Sequence, residues 1–186
     1  VNIDVEDLPE VDCVHDVTEG LPFADVEFVF AEHFIEHLPV DDAFEFLREC
    51  RRVLSPSGVL RLSTPNLDWV LQSHYDPDRW HSADTAVRDC FWLNKAFRGW
   101  GHCFLYNRET LQQALIAAGF ACITGQEYGH SRYPALRGVE SHETFPDLPG
   151  VPHVLVVEAS GIAGKTLPAL VEARTDYRGA FVGVTT

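Results

Sequence analysis

The stretch HDVTEGLPFADVEFVFAEHFIEHL, residues 15–38, followed at 47–67 by LRECRRVLSPSGVLRLSTPNL, decides the fold. Gly20-Leu21-Pro22-Phe23 makes a turn. Val26 to Ala31 is then almost continuously apolar, the pattern of a strand buried on both faces of a parallel sheet. Asp41 and Asp42 sit where an N-cap and first helical turn belong. Ala43, Phe44, Leu47, Cys50, Val53 and Leu54 follow at helical spacing, with Arg48, Arg51 and Arg52 toward the C-terminal end, where cations suit the helix dipole. Ser55-Pro56-Ser57-Gly58 stops that helix, and Val59 to Ser63 predicts a strand closed by Thr64-Pro65-Asn66.

Working outward, Val1 to Val5 and Val11 to Val17 predict two short strands, each ending near an acid, Asp4 and Asp16. Glu109 to Ala118 predicts a helix ended by Gly119. Ala121 to Tyr128 and His153 to Ala159 predict two further strands. The loop between them carries Pro134, Pro146, Pro149 and Pro152. Residues 67–105, rich in aromatics and histidines, predict irregular helices forming a lid over a site, with Trp80, Phe91, Trp92 and Trp100 read mainly as core. The expected domain is 1–160 with this 67–105 insertion. Residues 161–186 form a tail with a helix at 167–174 and a short strand at 180–184. Strand–helix–strand alternation implies an α/β fold, a three-layer sandwich around a mostly parallel sheet with an antiparallel C-terminal edge pair.

The chain has 186 residues, enough for one domain with a sizeable core. Asp and Glu number 28 against 14 Lys and Arg, a formal charge of −14. Such a surface repels phosphate backbones and anionic lipid, so neither nucleic acid nor a membrane is expected as a partner. No apolar run is long enough for a membrane helix and no signal segment opens the chain. Cys13, Cys50, Cys90, Cys103 and Cys122 are odd in number and widely spaced, without a C-x-x-C pair. That pattern suits reduced thiols in the cytoplasm and gives no support to a thiolate zinc site.

The pieces VNIDV (1–5), residues 15–38, residues 47–67, GHCFLYNRETLQQALIAAGF (101–120), YGHSRYPALRGVESHE (128–143) and LVVEAS (155–160) together resemble the class I S-adenosylmethionine (SAM)-dependent methyltransferases, in particular a small bacterial branch of them. The resemblance implies a Rossmann-like fold with SAM as cofactor. Asp4 would accept both ribose hydroxyls of SAM, as acids do in dinucleotide sites. Asp16 would lie beside the adenine, with Val17 and Leu21 in the same turn. Glu32 and His33 would line the methionine end. The expected reaction is methyl transfer to an oxygen or nitrogen of a small molecule or sugar, with a homo-oligomer allowed.

Two departures from the family pattern stand out. The glycine-rich loop after the family's first strand is absent, and the sequence opens at what resembles strand two. Strand one lies between strands two and four in this fold, so something is expected to fill that place. An upstream segment is the first choice, and Phe181-Val182-Gly183-Val184 or a partner chain is the second. The turn at 55–58 also replaces the usual Pro-Gly-Gly.

His33-Phe34-Ile35-Glu36-His37 spells H-x-x-E-H. On a helix, His33 and His37 would share one face and could grip a metal. The family carries the same short pattern without zinc, so no metal is assigned. Glu36 reads as a local anchor rather than a base. The resemblance makes His33 and His102 the candidate bases for a hydroxyl acceptor, His37 the next, and His142 a possible substrate contact. Two alternatives remain: a metal-dependent enzyme of different chemistry using His33, His37 and His102, or a non-catalytic methyltransferase-like subunit.

Overall fold

A computed structural model describes residues 1–75, 82–142, 144–162 and 168–180. Strand β1 (Ile3–Asp4) pairs in parallel with β2 (Cys13–Val14) in a two-stranded ribbon. Strand β3 (Val26–Glu32) opens a second sheet, followed by α1 (Val40–Val53) and β4 (Leu54–Pro65). Then come α2 (Leu67–His74), α3 (Ala83–Arg98), α4 (Arg108–Ala117), β5 (Cys122–Gln126), β6 (Val154–Ser160) and α5 (Pro168–Gly179). The four-stranded order is β3-β4-β6-β5. β3 and β4 are parallel, while β6 runs antiparallel to both β4 and β5. Three strands therefore share one direction and β6 opposes them, as the expected α/β architecture with an antiparallel edge pair requires.

The alternation along β4 assigns its faces. Leu60 and Leu62 join Phe44, Leu47 and Cys50 of α1 and Leu111 and Leu115 of α4 in the main core. These are the apolar positions whose 3.6-residue spacing marks α1 in the sequence. On the opposite face of β4, Arg61 is fully buried. Its Nε donates to Glu140 at 2.5 Å, and its Nη1 to Glu158 at 2.8 Å and to the His130 carbonyl at 2.9 Å. This cluster pins the segment after β5 across the sheet. The tail helix α5 docks on α1 through Asp41, which accepts from Arg174 at 2.8 Å and Arg178 at 2.5 Å.

Several local expectations change. Pro39, not Asp41, is the N-cap of α1; Asp41 and Asp42 lie in its first turn, and Asp41 pairs with α5. β4 begins directly after α1: Val26 pairs with Leu54 and Phe28 with Val59, so residues 55–58 bulge out of a strand rather than precede one. A Cβ at Gly58 would meet the Val26 carbonyl oxygen at 2.8 Å, which explains glycine there. Among the described residues of 67–105, α2 and α3 are regular helices, with Trp69, Val70 and Leu105 forming a small core there. Phe91, Trp92 and Trp100 are exposed rather than core. Trp80 and His81, and residues 181–184 of the strand expected at 180–184, lie outside the described residues, while Ala180 is a turn after α5.

Among the described residues, no strand lies between β1 and β3. An apolar cleft of about 450 Å³ occupies that interval, walled by Ile3, Val17, Leu21, Phe23, Val29 and Ala31, among others. β3 is thus a sheet edge with half-buried side chains. The burial on both faces inferred from its apolar run is not reached, because one flank is this cleft.

Candidate functional site

The C-terminal ends of β3 and β4 bring together side chains from four separate segments. β3 ends at Glu32, and His33 then takes a left-handed backbone (φ 47°). For a non-glycine residue this conformation costs about 1–3 kcal/mol and is kept where the surroundings impose it. Here the His33 amide donates to the Ser63 carbonyl at 2.9 Å, continuing the β3–β4 ladder. The reversal puts Glu32 and Phe34 in the wall of the apolar cleft and sends His33 elsewhere.

The His33 ring stacks on His142, with centroids 4.2 Å apart and planes inclined by 13°. Its Nδ1 lies 3.4 Å from Glu36 Oε1. Its Nε2 is buried with no hydrogen-bond partner among the described residues. A carboxylate facing Nδ1 favours the tautomer with the proton on Nδ1, which leaves the lone pair on Nε2.

Glu36 is 0% exposed. It sits in a short 3-10 turn, Ile35–His37. Thr64 Oγ1 donates to Glu36 Oε2 at 2.9 Å, whereas Oε1 has no hydrogen-bond partner. The Glu36 main-chain carbonyl accepts from the amides of both Cys103 (2.7 Å) and Phe104 (3.1 Å). Those two bonds fasten the 99–104 segment against the turn. Trp100 (φ 56°) and Gly101 (φ 81°) bend that segment so that His102 meets His37, ring centroids 5.1 Å apart. His102 Nδ1 lies 2.8 Å from the Ala96 carbonyl oxygen. A carbonyl only accepts, so Nδ1 carries the proton and Nε2 presents a lone pair. One donor atom each from Glu36, His37 and His102 lies within 4.8 Å of the other two.

Expected residues therefore divide. His37 and His102 come together, but their third companion is Glu36 and not His33. The helix that would place His33 and His37 on one face does not form, since only residues 35–37 are helical, in a 3-10 turn. The contacts of Glu36, with Thr64 and with residues 103–104, lie far away in the chain and are not legible in a short motif. The one signal available was a carboxylate embedded between apolar Ile35 and two histidines.

On the other side of His33, Val17, Leu21 and Glu32 line the cleft, next to Ile3. Asp4 and Asp16 adjoin lining residues in sequence but are not in the wall, and both are exposed. Asp4 Oδ1 accepts from the Glu6 amide at 2.9 Å. Asp16 caps a 3-10 turn, and the hydroxyl and amide of Thr18 hold its carboxyl below the usual range. Glu32 accepts from the amides of Ser141 and His142, from the Ser141 hydroxyl and from Tyr128. Burial acts to raise its pKa, these donors outweigh it, and the net shift is downward. Glu32 is therefore the anchor of the 128–142 segment and holds His142 over His33.

Three further groups complete the surroundings. Burial, then the Glu36 charge, push the Tyr106 hydroxyl well above its ordinary value. Ser63 Oγ is buried without a hydrogen-bond partner. His153 accepts from the Phe145 amide through Nδ1 and has its pKa lowered, by burial first and then by nearby His33.

A family profile described as a methyltransferase domain matches residues 6–124. No curated protein matches the sequence. Among solved structures, a Thermotoga maritima SAM-dependent methyltransferase, described as a possible histamine N-methyltransferase, aligns at TM-score 0.51 and 18% identity, over 81% of this chain and 63% of its own. A possible exported protein of Bordetella parapertussis aligns at TM-score 0.50 and 14% identity, over 81% of this chain and 44% of its own. The chain thus spans less than two thirds of either protein. No described helix is long and apolar enough to cross a membrane. With the profile covering well over half of its residues, the chain belongs to the methyltransferase-domain family.

Proposed function

We propose that the protein is a SAM-dependent methyltransferase acting on an oxygen or nitrogen of a small molecule or sugar. Family membership supports methyl transfer, and the buried, unpartnered Nε2 of His33 is the observation that carries the acceptor side. When bound, SAM supplies an electrophilic methyl group on its sulfonium.

The residues present fit the adenosyl half of that cofactor. Val17 and Leu21, on the cleft wall beside Asp16, suit a ring, whereas the interval between Ile3 and Ala31 is the place expected for a strand. Asp4, exposed at the end of β1, suits a ribose diol, and Asp16 suits an exocyclic amine. Glu32 supports the methionine end indirectly, because its oxygens are occupied by Ser141 and His142. His33 Nε2 accepts the proton that an acceptor hydroxyl loses, Glu36 steadies the resulting imidazolium through Nδ1, and His142 holds the ring in plane. Alignment is the larger contribution and proton acceptance the smaller, about 10²–10⁴-fold.

The same reading places the protein in a bacterial cytoplasm, with free cysteines at all five positions in support. Its partners would be a small molecule or glycan, not nucleic acid or membrane. The exposed aromatics of α3 support a homo-oligomer.

The test uses the complete chain titrated calorimetrically with S-adenosylhomocysteine. Asp4→Ala should weaken binding by about 10–100-fold, the size of a lost charge-assisted hydrogen bond. His33→Ala should retain that affinity and lose transfer of a labelled methyl to an acceptor library. Absence of binding, or indifference to Asp4→Ala, refutes the reading.

A further inference from the structure

We propose that Glu36, His37 and His102 form a binding site for one divalent transition-metal ion, whose open positions take the oxygen of the methyl acceptor. This rests on the methyltransferase reading for its use, but not for its existence.

Four observations converge. The three donors lie within 4.8 Å of one another. Ligands at about 2.0–2.2 Å from a shared ion sit roughly 3–3.5 Å apart, so modest side-chain rotations close the set. Glu36 Oε1 is completely buried and lacks a hydrogen-bond partner. His33 Nδ1 lies 3.4 Å from it, and a cation inside the triad would satisfy this buried oxygen directly. The outer contacts are those that orient ligands: Ala96 O fixes His102 so that Nε2 offers its lone pair, and Thr64 Oγ1 occupies the other Glu36 oxygen. Finally, the Glu36 carbonyl clamps the amides of Cys103 and Phe104, so the chain carrying His102 is tied by its backbone to the turn carrying the other two ligands.

The donor chemistry selects the ion. Two imidazoles and one carboxylate suit manganese, iron, cobalt or zinc, whereas calcium and magnesium prefer all-oxygen sites. Glu36 forms the closed floor, while His37 and His102 are only partly covered, which leaves the imidazole side for entry. Three protein ligands leave coordination positions open, as in sites that bind a reacting group. His33, across Glu36 Oε1, borders the place where an ion-bound hydroxyl would sit.

The experiment takes the complete chain, stripped with EDTA, and titrates it with Co²⁺ while recording visible absorption. One ion per chain should bind. His37→Gln and His102→Gln should each weaken binding by more than about 100-fold, beyond the roughly 10–100-fold expected for the outer-contact variant Thr64→Val. His130→Ala, on an exposed loop, should leave it unchanged. A second measurement needs no variant: Co²⁺ should protect His37 and His102 from diethyl pyrocarbonate, mapped by mass spectrometry. No Co²⁺ binding, binding unaltered in His37→Gln and His102→Gln, or protection confined to other histidines overturns the site. S-adenosylhomocysteine titration of the stripped protein separates the two ideas. Cofactor binding without Co²⁺ binding sinks the metal site alone, and Co²⁺ binding without cofactor binding sinks the methyltransferase reading alone.

Discussion

Replacing Arg61 tests whether the buried ionic cluster holds the loop face of the sheet. Arg61 carries one positive charge against the carboxylates of Glu140 and Glu158, all within 2.5–2.8 Å, and the Arg61 and Glu140 side chains are fully buried. Arg61→Met removes the cation and strands two carboxylates, along with the His130 carbonyl that Nη1 served. Breaking a buried pair from one side costs about 3–5 kcal/mol, a large part of a domain's usual 5–15 kcal/mol. Glu140→Gln is different: it leaves a neutral Arg61–Glu158 pair and forfeits a charge-assisted bond, about 1.5–3 kcal/mol. The order of loss should therefore be Arg61→Met, then Glu140→Gln. The triple variant Arg61→Met, Glu140→Leu, Glu158→Leu should recover most of the stability, since apolar replacement of a whole buried cluster is often neutral. Urea unfolding followed by tryptophan fluorescence measures all three. A loss under 1 kcal/mol for Arg61→Met, or a larger loss for Glu140→Gln, would refute the reasoning.

Three other predictions are direct. Gly58→Ala should lower stability by about 1–3 kcal/mol in the same assay, because its Cβ would stand 2.8 Å from both the Val26 carbonyl oxygen and Leu54 Cδ2. Ellman's reagent should modify exposed Cys90, Cys103 and Cys122 quickly in the native protein and leave Cys50 untouched, since burial pushes the Cys50 thiol far up and blocks access. Asp41 has its carboxyl pulled below the usual range, by the Arg178 bond first, against burial, with Arg174 adding to it. Its folded value is depressed, so the docking of α5 that it supports is present above the ordinary carboxylate range and is lost as pH falls through the folded value. Hydrogen exchange in 168–179 should accelerate over that acidic interval, and an Asp41→Asn protein should show fast exchange already at neutral pH.

The sequence makes local periodicity legible and leaves convergence hidden. The core stripe of α1 is legible at Ala43, Phe44, Leu47, Cys50 and Val53, because a helix buries one stripe; Phe46 joins them, and Leu54 already belongs to β4. α4 is likewise readable, with Asn107 capping the Thr110 amide and Gly119 at φ 102° ending it. Phe91, Trp92 and Trp100 mislead, since aromatic content signals burial only when another element covers it. Lys95 instead lies 4.7 Å from the rings of both Trp92 and Trp100 at the surface. The candidate site is half legible. His33, His37 and His102 stand out by residue type. The pairing of the last two with Glu36 depends on two backbone bonds between residues more than sixty positions apart, which no short motif records. Glu32 shows the opposite case: the resemblance gives it to the methionine end of the cofactor, whereas its oxygens accept from the protein's own amides.

The apolar cleft beside β3 has a thermodynamic consequence. The ribbon of β1 and β2 contributes only two residue pairs of its own, and such a small unit has little independent stability. Ile3 belongs to that ribbon and Ala31 to the main sheet, yet both face the same hollow. Whatever fills the hollow therefore joins the ribbon to the main sheet. Its affinity will surface as a rise in melting temperature that grows with the logarithm of its concentration, a signature that dye-based thermal screening can read before any reaction is known.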